Sequence, residues 1–172
     1  MTEELSAENI EENADTEVLY SEYQSVKHFC ILSILSLGLY PFFWFFKHWQ
    51  FLREEKKFDI NPSFRTVLTL FYGYSLFKTF YGLAVEKGYK GRPAFEILFI
   101  LYLVSSIFAR VQDNYWGLIS LFSFVFLIPI HKMMNFYYLN EQPNYKIRDK
   151  LGKGEKIFLI VLWVIIILIS IN

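Results

Sequence analysis

Five long apolar runs, Phe29–Phe46, Thr66–Val85, Ala94–Ala109, Trp116–Ile130 and Ile157–Ile171, constrain this chain more than any other feature. Between them they leave too little polar sequence to coat a water-soluble core. Hydrophobic residues fill 54% of the 172 positions, with 19 Phe, 12 Tyr and 4 Trp, above the usual apolar share of soluble domains. The expected fold is therefore all-α, a polytopic transmembrane bundle of five hydrophobic helices in a single membrane-embedded domain over residues 23–172.

The first run has about the length of a membrane span but carries Gly38 and Pro41. Proline removes a backbone donor and disfavours helix at Tyr40, so the helix either kinks here or breaks into two half-length pieces, the second outcome permitting a re-entrant hairpin. Asn61 before Pro62 is a helix-start signal for the second run. In that run Thr69, Tyr72, Gly73, Ser75, Thr79 and Gly82 recur mostly three or four apart and should face other helices. Asp113 and Asn114 are plausible caps for the fourth run, and His131–Gln142 reads as an interfacial extension of it. The fifth run is short for a full span and needs flanking residues or local thinning.

Charge is balanced overall but not along the chain. Residues 1–22 hold eight acidic side chains and no Lys or Arg, and read as a flexible, disordered acidic tail; the remainder holds 17 basic residues against nine acidic ones. Basic loops between apolar spans suit a bilayer with anionic headgroups, and no single basic stripe suggests nucleic acid. The distribution of Lys and Arg favours a cytoplasmic N-terminus, although the two most basic loops, after the first and fourth runs, would fall on opposite sides if every run crossed. Cys30 is the one cysteine, so no internal disulfide forms.

Few residues carry chemistry. Lys78, within the second run, and Glu96, one turn into the third, form a candidate intramembrane charge pair, for which a structural role outweighs an ion pathway. His28, His48 and His131 lack metal-ligand spacing, so neither a metal nor another cofactor is expected. Gly152-Lys153-Gly154-Glu155 resembles a phosphate-loop fragment but lacks the rest of that motif and reads as a flexible turn. Tyr40, Trp44, His48, Trp49 and Arg53, with His131 and Lys132, make a candidate interfacial surface of aromatic and cationic groups. No nucleophile elbow or paired carboxylates support an enzyme.

Gly38-Leu39-Tyr40, Phe43-Trp44-Phe45 and Trp49 in the first run, Asn61, Pro62, Phe64 and Arg65 at the second, and Pro129 with Asn135 after the fourth give a pattern covering most of residues 26–172. On it the chain resembles uncharacterised small multi-pass membrane proteins of bacteria grouped under domains of unknown function. It departs from them in Pro41, and in an acidic tail where some relatives carry a metal ribbon. The resemblance implies a bacterial inner-membrane protein and carries over no catalytic residues. The reading is a non-enzymatic protein that meets the lipid bilayer and binds a protein partner, or a second copy of itself, or organises lipid through basic aromatic-rich loops. The alternative is a small transporter or channel using Lys78 and Glu96.

Overall fold

The computed structural model describes residues 21–107, 120–147 and 151–171. The acidic tail up to residue 20, the expected caps Asp113 and Asn114, the start of the fourth run, and Arg148 and Lys150 lie outside them. The described residues form seven α-helices and one 3-10 helix, with no strand. The all-α expectation holds.

The first apolar run breaks rather than kinks. Helix α1 (Val26–Leu35) starts at Ser25, whose hydroxyl accepts the His28 N–H at 3.2 Å. Leu37 (φ 52°) and Gly38 (φ 82°) then turn left-handed, and the Gly38 N–H donates to Ser33 O at 2.8 Å, closing the helix end. Helix α2 (Tyr40–Glu54) begins at once with Pro41 in its first turn, where the missing N–H costs nothing. The buried Tyr40 N–H finds the Ser36 hydroxyl at 2.7 Å, which supplies the partner a helix start lacks.

The second run divides too. Asn61 caps α3 (Pro62–Val67) through the Phe64 N–H at 3.0 Å, as its sequence indicates, but Leu68 leaves helical geometry before α4 (Thr69–Glu86) starts. Thr69 and Gly73 face inward as expected of small residues, whereas the buried stripe continues through Leu76, Phe77, Phe80 and Ala84, and Gly82 stands in open space. Close packing decides this: a Cβ on Gly73 would lie 2.6 Å from the ring of Phe99, so α4 and α5 (Phe95–Ile107) meet there without a side chain between them.

A 3-10 helix (Ser123–Leu127) runs straight into α6 (Ile128–Glu141), which buries Ile130, His131, Met133, Met134, Asn135, Tyr137 and Tyr138. The expected interfacial extension is thus a core helix, against which α1 and α4 pack. Helix α7 (Lys153–Ile171) is different: it touches the bundle through its first turns, with the Phe158 ring stacked on Phe43 at 5.2 Å, and no described side chain beyond Leu159 is buried.

Among the described residues no helix is long and apolar enough to cross a membrane. The five runs thus do not become five uninterrupted apolar helices among the described residues, and each run has its own reason. Gly38 splits the first, the second carries Lys78 after its break at Leu68, the described part of the third's helix has 13 residues, the described part of the fourth changes helix type at Ile128, and the fifth begins among Lys153, Glu155 and Lys156.

Candidate functional site: a buried polar network

Among the described residues a set of polar side chains is buried and linked by hydrogen bonds. Residues 21–25 run along α6 without regular structure, so their backbone needs partners that a helix would otherwise supply. Asn135 supplies two: its Oδ1 accepts the Gln24 N–H at 3.2 Å and its amide donates to Gln24 O at 2.6 Å. Gln142, just past α6, supplies more, its Oε1 accepting both the Ser21 hydroxyl and the Glu22 N–H at 3.0 Å.

From Gln24 the network reaches α7. The Gln24 amide donates to the Tyr40 hydroxyl at 2.6 Å and to Glu155 Oε1 at 3.1 Å, and the Tyr40 hydroxyl donates to the same oxygen at 3.1 Å. The second oxygen of Glu155 accepts the Gly152 N–H at 2.8 Å, the return half of a capping box that starts α7. Glu155 is buried with three donors, and none of the ion pairs among the described residues includes it. Gly152–Glu155 is thus a helix start and not the flexible turn its glycines suggest; the sequence signal for it is the glutamate three residues after the capping position.

The other arm fixes two histidines. The Trp44 Nε1–H donates to His131 Nδ1 at 3.1 Å, so the ring must carry its proton on Nε2, which donates to Gln24 O at 2.7 Å. The His131 ring stacks on Phe29 at 4.7 Å. His48 donates from Nδ1 to Trp44 O at 2.8 Å and packs among the rings of Trp44, Phe80 and Tyr138. Both histidines lie beyond the ends of the apolar runs, and burial keeps both neutral. It pushes His131 down to about 4, with the charge of Lys47 acting the same way and the bond to Gln24 O opposing, and it holds His48 well below the usual histidine range.

The residues expected to form an interfacial surface therefore part company. Tyr40, Trp44, His48, Trp49 and His131 are buried, while Arg53 and Lys132 are exposed, Arg53 beside Glu54 at 2.9 Å. The reason is the break at Gly38, which folds α2 back against α1 and α6 and turns its aromatic face inward. Lys78 and Glu96 are both exposed; Glu96 accepts the Tyr74 hydroxyl at 2.9 Å, and among the described residues no ion pair joins it to Lys78. The ion pairs that do cross between elements are Lys47 with Glu22 at 2.9 Å, and Lys56 and Lys87 with Glu141, the latter at 2.6 Å; these two lysines hold the Glu141 carboxyl below the usual range.

Chemically, the network offers one carboxylate, neutral imidazoles and amides, and most of its bonds join different elements of the fold. No nucleophile adjoins a histidine in it, and among the described residues no group of His, Cys, Asp and Glu could hold a metal ion. A cleft of about 240 Å³ opens beside it, bordered by Glu22, Lys47, Gln50, Glu54 and Gln142, with the Lys47–Glu22 pair at its edge. No family model matches the chain, and no curated protein or solved structure matches it.

Proposed function

We propose that this is a non-enzymatic, lipid-embedded helical protein that organises lipid or binds a protein partner through basic loops bordered by exposed apolar surface. The observation that carries the reading is α7: Ile160, Val161, Trp163, Val164, Ile165, Ile167, Leu168 and Ile169 are all exposed, while His48, His131, Asn135 and Glu155 are inside. Burying one large aliphatic side chain is worth about 1.5–3 kcal/mol. Seven such side chains together with Trp163, left largely in water, would forgo an amount comparable with the whole stability of a domain, about 5–15 kcal/mol. Apolar residues outward and polar groups paired inward is the arrangement that hydrocarbon favours.

Helices too short to cross alone are tolerated at membrane depth where protein surrounds their ends. At the α1–α2 break the buried Ser33 and Ser36 take up backbone and side-chain partners internally, which supports a re-entrant hairpin there. The resemblance in sequence points to a bacterial inner membrane, and the distribution of Lys and Arg to an N-terminus on the cytoplasmic side.

The full chain should stay in the pellet after an alkaline carbonate wash and require detergent for extraction. Monodisperse protein in the supernatant without detergent would overturn the reading. Neutralising Lys146, Arg148 and Lys150 should weaken co-purification of a partner or of anionic lipid under gentle extraction; unchanged recovery would remove the role of that loop.

A further inference from the structure

Among the described residues Arg65 is the one cation that lies over two aromatic rings, at 4.7 Å from the centre of Trp49 and 5.2 Å from that of Tyr72. Both rings attract its positive charge and restrict its position. Among the described residues no carboxylate pairs with it and no acceptor takes its N–H groups; Asp59, the nearest acidic residue in sequence, is exposed and forms no ion pair. The fully buried Trp49 beneath it also has an indole N–H without an acceptor.

The surroundings say what would complete it. Phe64, Val67, Leu70 and Phe71 flank Arg65 in sequence and are 55–79% exposed, among the most open apolar side chains of the molecule. Asn61 and Ser63, at the start of α3, are exposed and polar. Arg65 therefore stands where apolar surface gives way to polar surface, the level at which a bilayer carries its phosphates. A preorganised guanidinium with free donors matches a phosphate oxygen pair in two parallel bonds.

We propose that Arg65, clamped by Trp49 and Tyr72, binds the phosphate of an anionic phospholipid whose acyl chains lie on Phe64, Val67, Leu70 and Phe71; this rests on the lipid-embedded reading above. A zwitterionic phosphatidylcholine, whose own cation competes for its phosphate, binds less well.

The test uses the full chain reconstituted in bilayers of equal phosphatidylglycerol and phosphatidylcholine, then extracted gently and assayed for retained lipid by native mass spectrometry. Wild type should retain phosphatidylglycerol in about tenfold preference, the scale of one charge-assisted bond pair. Arg65→Gln should bring the ratio near one, Arg65→Lys should keep part of it because charge remains without the fork, and Arg53→Gln should leave it unchanged. Preference undiminished in Arg65→Gln, with native circular dichroism, overturns the site. If Arg65→Gln does not fold, Arg65→Lys and the wild-type ratio decide: full preference in Arg65→Lys, or none in wild type, overturns it. Displacement of the retained lipid by millimolar inorganic phosphate would show a free-anion site and overturn the lipid assignment. A wild type that inserts but shows no preference sinks this site alone, whereas a chain that never enters the bilayer sinks the lipid-embedded reading with it.

Discussion

The side-chain amide of Gln24 lies 3.1 Å from the carboxylate of Glu155, joining residues 131 positions apart through a contact shared with the Tyr40 hydroxyl. This is the point at which α7, otherwise attached by little more than Phe158 and Leu159, is locked to the rest of the fold.

Replacing Glu155 with Leu should strand three buried donors, from Gln24, Tyr40 and Gly152, and lower stability by about 2–4 kcal/mol. In thermal unfolding in detergent, Gln24→Ala should cost less than Glu155→Leu, and Gln24→Ala combined with Glu155→Ala should cost less than the two singles added. Strict additivity would mean that the contact carries no coupling.

His131 makes stability depend on pH. Its folded value, about 4, lies below the value of 6.5 for a free histidine, so the unfolded chain binds more protons between the two. The contribution is complete above pH 6.5, declines as pH falls toward 4 and levels off below, amounting to about 3 kcal/mol across the window. His131→Phe should flatten that slope to the share left by His48 and by carboxylates. An unaltered slope in melting temperature against pH would refute the assignment.

Two glycines of α4 should respond in opposite directions. Gly73→Ala drives a methyl into Phe99 and should cost about 1–3 kcal/mol, while Gly82→Ala meets nothing within 4 Å and should gain up to about 1 kcal/mol in helix propensity. Equal effects on melting temperature would contradict the α4–α5 approach.

At the α1–α2 break, Gly38→Ala should cost about 1–2 kcal/mol because φ is 82° there, and Leu37→Gly should be tolerated or stabilising because a leucine is held at 52°. A Gly38→Ala protein as stable as wild type would indicate that the left-handed turn is not kept in solution.

Much of this architecture was legible in sequence and some was not, for reasons that differ by residue. Asn61-Pro62 and Gly38-Pro41 act through local backbone chemistry, and local patterns reported them: the cap forms, and the first run divides at the glycine. Long-range packing is invisible to such patterns. Trp44, Trp49 and His131 carry the composition of an interfacial belt, yet the fold-back at Gly38 puts them in the core. Lys78 and Glu96 sit at a spacing compatible with contact, but Tyr74 lies four residues before Lys78 and takes the Glu96 carboxylate instead. Glu155 was discounted with a glycine-rich turn because its partners, Gln24 and Tyr40, come from the far end of the chain. Arg65 drew notice only as part of a helix start, since nothing local reveals that Trp49 and Tyr72 enclose it.

The strap formed by residues 21–25 has a consequence for biosynthesis. Ser21, Glu22 and Gln24 take their partners from Asn135, Gln142 and Glu155, more than 110 positions downstream. As the polypeptide leaves the ribosome, these particular contacts must wait until α6 and the start of α7 have been made. The strap is thus laid across helices already assembled, and its closure records that translation has delivered α7.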